Sequence, residues 1–327
     1  MATFRNRGKR WQARVSRKGY PAKARSFLNL QDAERWARSV EIEIDRGTFI
    51  SASEADKLTL GDLIERYMRE VTPHMKGAVE DLIRLAALRR NPVCKANVTA
   101  LTPAMLGKFR DERLEKVSNG TVIRELAYLS AIINYGRREW SLQIQNPVAL
   151  VRKPASPSGR TRILSLEEQS NLLEQLRPSG RRSRWMFPLV IAALETAMRR
   201  GELLALRWQN IDLETRVAIL ITTKNGDRRV VPLSSKAINI LSSLPRSITG
   251  QVFPMTACAV SAAFDRAALR ANLDDVRFHD LRHTAITAMA NKLPNLIELS
   301  AVTGHRSLKM LQRYYHPSPQ DLAIKLG

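Results

Sequence analysis

Cysteine is nearly absent from this chain of 327 residues: Cys94 and Cys258 are its only two, and they stand far apart. Two thiols so placed match no metal-ligand spacing and build no disulfide framework, so they read as reduced thiols of a cytosolic protein. Long apolar runs are lacking too. The longest greasy segment, around Met186 to Leu194, falls well short of the roughly 20 residues that cross a bilayer. The N-terminus is basic, but no apolar stretch follows it, so no secretory signal is read. A membrane role is therefore excluded and a cytoplasmic location expected. The chain has no internal repeat and no low-complexity tract. Acidic side chains are scarce, 31 Asp and Glu against 53 Lys and Arg, a net charge of +22. An excess of that size implies a polyanionic partner, and nucleic acid fits best.

Apolar residues make up 44% of the chain, enough for several cores. Residues 1–29 carry nine Lys and Arg and no acid. Trp11, Ala13 and Val15 alternate with Arg10, Gln12 and Arg14, a period of two that predicts a strand with one basic face. Lys18-Gly19 is a turn signal, and Lys23 and Arg25 lie in the next extended run. A helix is predicted from Gln31 to Arg46, with Asn29 as cap and Gly47 as stop. After a polar joint at Thr48–Lys57, a helical block runs from Thr59 to about Val151. Within it, Thr59, Thr102-Pro103 and Ser118 are helix starts, and Asn146-Pro147 marks the end. Lys153 to Arg160 is rich in Pro, Ser and positive charge and reads as a linker. The remainder is mostly helical except for Arg216–Leu233. There Val217, Ile219 and Ile221 alternate, Asn225-Gly226 signals a hairpin turn, and Val230-Val231-Pro232 closes the second strand.

The expected fold class is therefore mainly α with small β-sheets, in a multidomain chain: a small N-terminal sheet plus helix at 1–50, a helical domain at 58–152, and a mixed, mostly helical domain at 161–327.

Histidine is also rare, yet four of the five (His279, His283, His305 and His316) fall in the last fifty residues, beside Arg282 and the pair Tyr314-Tyr315. The stretch from Thr196 to Trp208, containing Arg199 and Glu202, resembles the first arginine box of the tyrosine recombinases. His279-Asp280-Leu281-Arg282 resembles their His-x-x-Arg box, Gly304-His305 the box that follows, and Arg313-Tyr314-Tyr315-His316 the nucleophile box. Arg282 and His305 are 23 positions apart, and His305 and Tyr314 nine, in keeping with that family. Thr223-Lys224-Asn225-Gly226 is similar to its mobile lysine turn. The helical block at 58–152 resembles the family's core-binding (SAM-like) domain. The N-terminal sheet resembles the arm-binding domain of mobile-element integrases, with Arg10, Gln12, Arg14, Lys23 and Arg25 as candidate DNA contacts.

The resemblance implies a site-specific recombinase that cuts and rejoins duplex DNA through a 3′-phosphotyrosine, with Tyr314 as nucleophile and no metal or other cofactor. These residue types suit that chemistry. A tyrosine can hold the phosphate as an ester and keep the energy of the broken bond. Guanidiniums at Arg199 and Arg282 offer planar donor forks to the non-bridging oxygens. His279 and Arg282, three apart, share a helix face. The family further implies that His279 assists proton transfer at the tyrosine, that His305 donates to the phosphate and that Lys224 protonates the leaving 5′-oxygen. Glu202 orients the centre. Expected partners are double-stranded DNA at attachment sites, a homotetramer on that DNA, and a DNA-bending protein or an excisionase.

Several alternatives stand beside this reading. Tyr315 competes with Tyr314 as nucleophile, and the Tyr-x-His pattern of Tyr314 and His316 favours the latter. His279 and His283, four apart, have zinc-ligand spacing but no evident third ligand. An inactive DNA-binding relative and a type IB topoisomerase share these features. The tail from Pro317 onward either packs on a neighbouring protomer or folds back. Ala197 stands where the family often carries glycine. Alanine is small and suits a helix, so the site is read as intact.

Overall fold

The computed structural model describes residues 2–18, 20–45, 55–221, 228–315 and 319–326. The chain divides into two compact units, 1–158 and 159–327.

In the first unit, strands β1 (Ala2–Asn6), β2 (Trp11–Arg17) and β3 (Tyr20–Phe27) form an antiparallel sheet in that order. Helix α1 (Leu30–Asp45) covers one face. Ala13 and Val15 on β2 meet Ala33, Ala37, Val40 and Ile44 of α1, so the predicted two-residue period does supply the core. Asn29 Oδ1 accepts from the Asp32 N–H at 2.8 Å, which makes it the cap expected. The predicted helix end at Arg46-Gly47 and the turn glycine Gly19 lie outside the described residues.

The same unit continues with α2 (Leu60–Glu70), α3 (Ala78–Arg89), α4 (Pro103–Leu114) and α5 (Asn119–Glu139). Thr59 and Asp62 form a reciprocal capping box on α2, and Thr102 caps α4 with Pro103 in its first turn. Helix α5 buries Val122, Leu126, Leu129 and Ile133 on one stripe, each worth roughly 1.5–3 kcal/mol by transfer from water. They close on Leu60, Ile64, Leu85, Leu106 and Phe109.

The second unit contains α6 (Leu166–Leu176), α7 (Met186–Thr196), α8 (Arg200–Ala205), strands β4 (Ile211–Asp212), β5 (Val217–Leu220) and β6 (Arg229–Pro232), and helices α9 (Ser235–Ser242), α10 (Ala257–Arg270), α11 (Phe278–Lys292), α12 (Leu296–Thr303), α13 (Leu308–Leu311) and α14 (Pro319–Leu326). The greasy segment at Met186 is α7, buried on nearly every side at the centre of the unit. The expected hairpin is the β5–β6 pair, with β4 added on its other side to give three antiparallel strands. The alternating Val217, Ile219 and Ile221 do not form its inner face. Ala218 and Leu220 are the buried residues of β5, and Ile221 is 60% exposed. The larger β-branched side chains thus face outward and the intervening positions make the core. The turn residues 222–227 lie outside the described residues.

Arg160, read from sequence as the end of the linker, is anchored within the second unit. Its guanidinium spans Asp275 and the fully buried Asp280. Asp280 in turn accepts the Arg277 N–H at 2.7 Å as the capping carboxylate of α11. Thr284, one turn further along α11, accepts the Leu164 N–H at 3.0 Å. Residues 160–164 are thereby tied to the helix that carries the His-x-x-Arg box.

A candidate active site built on four separated segments

Helix α7 ends at Ala197 with φ of +51°. The expectation of a helical alanine fails here, because the residue adopts the left-handed conformation that glycine enters without steric cost. Ala197 is nonetheless fully buried, packed with Ala285, Ile286, Leu311 and Tyr314. The sharp turn it makes leaves Arg199 as N-cap of α8 in extended backbone, with Glu202 at the third helical position. Glu202 Oε2 accepts the Arg199 N–H at 2.9 Å, and Oε1 accepts from Arg199 Nη1 at 2.8 Å.

Sequence reasoning missed the second partner of Glu202. Arg229, on β6, donates from Nη2 to Glu202 Oε2 at 2.7 Å and from Nη1 to the Val302 carbonyl. Its side chain is only 9% exposed, and its buried Nε has no hydrogen-bond partner. Nothing local marks Arg229; only the tertiary fold brings this β6 residue to Glu202 on α8, 27 positions earlier.

Arg282 comes from α11 and is 3% exposed. It donates from Nη1 to the Ala197 carbonyl and from Nη2 to the Thr303 carbonyl, the latter at 2.7 Å. Burial first, then the neighbouring Arg199, push its guanidinium down to about 10, so it stays charged at neutral pH. Three guanidiniums (Arg199, Arg229 and Arg282) therefore surround one carboxylate, leaving an excess of buried positive charge that favours an anion.

The turn after α12 depends on Gly304, at φ +70°, whose added Cβ would lie 2.9 Å from Arg229 Cδ. His305 follows, with Nδ1 2.8 Å from Thr303 Oγ1. Burial, then Arg282, Arg199, Arg229 and Arg313, push this imidazole down to about 4.

Tyr314 ends a short 3-10 turn, Gln312–Tyr314. Its ring lies 6.4 Å from His305 and stacks on His283 at 5.7 Å between ring centres. His283 Nδ1 is hydrogen-bonded to Tyr314 Oη. His279 packs edge-on against His283 at 5.1 Å. Among the described residues, no group of three His, Cys, Asp or Glu side chains could hold a metal ion. Arg199, His279, Arg282, His283, His305 and Tyr314 line one cleft of about 1200 Å3. Four stretches of sequence thus meet where the box pattern implied. Lys224 and His316 lie outside the described residues.

The Phage integrase family model matches residues 162–321. The chain is 39% identical to the shufflon-specific DNA recombinase of Escherichia coli, over 83% of this chain and 72% of that protein. It is also 35% identical to a putative integrase/recombinase of Haemophilus influenzae, over 97% of this chain and 87% of that one. The chain belongs to the phage integrase family. As a tyrosine recombinase it breaks and rejoins DNA strands at specific sites. A lambda integrase tetramer bound to a Holliday junction shares the fold of this recombinase, with a TM-score of 0.67 at 18% identity over 94% of this chain and 93% of that chain. No helix among the described residues of the recombinase is long and apolar enough to cross a membrane.

The N-terminal candidates separate into two sets. Pairing sets Ala13 opposite Arg25 and Val15 opposite Lys23, so Lys23 and Arg25 share the face that carries the α1 core, and Arg25 lies over the Phe27 ring at 5.5 Å. Gln12 and Arg14 point the other way, where Arg5, paired with Gln12, joins them. Arg10 is exposed just before β2. The register therefore divides Gln12 and Arg14 from Lys23 and Arg25 and adds Arg5 to the outer face.

Proposed function

We propose that Tyr314 is the nucleophile of this recombinase, attacking the scissile phosphate to leave a 3′-phosphotyrosine and a free 5′-hydroxyl. The observation that carries this reading is the position of the Tyr314 ring, in one cleft with Arg199, Arg282 and His305. Arg199 and Arg282 take the non-bridging oxygens. Their carboxylate and carbonyl partners hold the guanidiniums in place before the substrate arrives, and such fixed positive charge is the main lever in phosphoryl transfer. Glu202 orients Arg199 and shares the task with Arg229. The Thr303 hydroxyl donates to the Leu299 carbonyl, so its Oγ1 accepts from His305 Nδ1–H, and His305 donates Nε2–H to the phosphate as an imidazolium, the form that the phosphate's negative charge favours. His279 assists at the reacting centre. Lys224, in the β5–β6 turn, protonates the departing 5′-oxygen. No metal ion or nucleotide takes part.

The 1–50 segment serves as an arm-type DNA-binding domain, 58–152 as the core-binding domain and 161–327 as the catalytic domain. The partner is duplex DNA carrying attachment sites, with a DNA-bending protein or excisionase as accessory. The protein acts in the cytoplasm as a homotetramer, as lambda integrase is seen on a Holliday junction. Ile324 and Leu326 on α14 are 80% and 88% exposed, which supports packing of this tail on a neighbouring protomer.

The test uses a nicked duplex from the DNA flanking the gene, without metal or ATP. A covalent protein–DNA adduct that persists in Tyr315→Phe and vanishes in Tyr314→Phe is the expected result. Loss in Tyr315→Phe alone would move the nucleophile by one residue.

A further inference from the structure

Attack by Tyr314 requires its phenol proton to leave as the oxygen approaches phosphorus. Burial raises that phenol above its ordinary range, with Arg313 and Arg282 opposing the shift. Phenolate is therefore scarce at neutral pH, and a base touching Oη would bear directly on the rate. His283 is so placed. Its Nδ1 is hydrogen-bonded to Tyr314 Oη, the two rings are stacked with 26° between planes, and each residue is 9% exposed. The groups facing this imidazole are His279, Asp280 and Arg282 from its own helix, and Arg313 and Tyr314 from the nucleophile segment. His305 lies against the same tyrosine ring. Burial first, then His279, hold His283 below its ordinary range, with Asp280 opposing. It is therefore neutral near pH 7 and has a lone pair to offer.

We propose that His283 accepts the Tyr314 proton during strand cleavage and returns it during rejoining, a role that rests on the assignment of Tyr314 as nucleophile. In cleavage the Oη–P bond forms and the P–O5′ bond breaks. The phenol proton passes to Nδ1, giving an imidazolium, while the departing 5′-oxygen takes a proton from the acid assigned to Lys224. In rejoining the 5′-hydroxyl attacks and gives its proton back to that acid. Tyr314 leaves phosphorus and recovers its proton from His283. The proton-transfer task that the family resemblance implies for His279 thus falls to the residue one helical turn further on. His279, edge-on to the ring, braces it.

The test measures the rate of covalent adduct formation on the nicked duplex across pH. Asn at position 283 retains an acceptor near Nδ1 but cannot take up a proton. His283→Asn is expected to slow the adduct by about 100-fold and to remove one limb of the pH–rate profile. A duplex with a 5′-bridging phosphorothiolate needs no acid at the leaving group, so the His283→Asn defect should persist on it. Replacing Tyr314 with the more acidic 3-fluorotyrosine should restore His283→Asn by about tenfold or more, since a weaker base then suffices. DNA affinity and thermal unfolding of His283→Asn and His283→Gln identify any loss that comes from misfolding, and the fluorotyrosine arm separates the two causes because misfolding is not rescued by phenol acidity. A rate within about threefold of wild type, a defect erased by the phosphorothiolate, or no recovery with fluorotyrosine overturns the proposal. No adduct with the unaltered protein, or an adduct that survives Tyr314→Phe, overturns the nucleophile assignment itself and the proposal with it.

Discussion

Arg282 donates to the carbonyl oxygen of Ala197, 85 positions earlier in the chain. The bond joins the two arginine boxes through a main-chain atom rather than through a side-chain pair. It exists because α7 stops in a left-handed turn that aims that carbonyl at α11. With the bond to the Thr303 carbonyl, it holds the guanidinium in one plane.

Arg282→Lys keeps the charge and loses the fork. A single ammonium nitrogen does not reproduce two planar contacts in fixed directions. Adduct formation should fall about 100-fold or more, and the two buried carbonyls left short of donors should lower stability by about 1–3 kcal/mol. Single-turnover cleavage and a urea melt check the two effects separately.

Glu202→Gln tests the carboxylate between Arg199 and Arg229. Removing one member of a buried charged cluster should cost about 3 kcal/mol in a denaturant melt. Burial pushes the Glu202 carboxyl up, but the Arg199 N–H and the charges of Arg229 and Arg199 outweigh it, so it titrates below its ordinary 4.5. A depressed carboxyl contributes stability above the unfolded value and loses it as pH falls toward the folded one. Wild type should therefore lose stability below about pH 4.5, and Glu202→Gln should lack that component.

Gly304→Ala places a methyl at 2.9 Å from Arg229 Cδ, on backbone at φ +70°. Strain plus displacement of Arg229 should cost about 1–3 kcal/mol, with slower cleavage. Gly107 is the contrast: it sits inside α4 with nothing within 4 Å of an added Cβ. Gly107→Ala should stabilise by about 0.5–1 kcal/mol. Thermal unfolding of the two variants should shift in opposite directions.

His305 supplies a pH test of the site. Its folded value near 4 lies below the ordinary 6.5, so the unfolded chain binds the proton first. Stability should be fully present above pH 6.5 and decline as pH falls toward 4. That window is worth up to about 3 kcal/mol. His305→Gln should flatten that part of the curve in melts from pH 7 to 4.

Much of this was legible in the residues. The helix starts at Thr59 and Thr102 follow from cap chemistry, which acts within one turn. Four boxes in order disclosed the family, because their residue types, order and spacing are those of the tyrosine recombinases. Other features were hidden by longer-range causes. The face of β5 that is buried depends on what packs on it: the alternation of Val217, Ile219 and Ile221 marks the strand, while Ala218 and Leu220 form the core. The split of Lys23 and Arg25 from Gln12 and Arg14 follows from strand register, which no count along one strand contains. The helical reading of Ala197 failed because a buried contact and a bond to Arg282 hold a backbone that alanine alone disfavours.

The sequence by itself determined the class of partner, the family and which boxes would come together in one cleft, since charge, caps and motif spacing are local properties. Only the tertiary structure decided how those residues are held. Arg229 reaches from β6 to Glu202 on α8, Arg160 binds Asp280 across 120 positions, and His283 rather than His279 bonds to the Tyr314 hydroxyl. Each of these pairings is set by the packing of distant segments, where the cost of burying a charge or a polar atom is met by whichever partner the fold brings within reach.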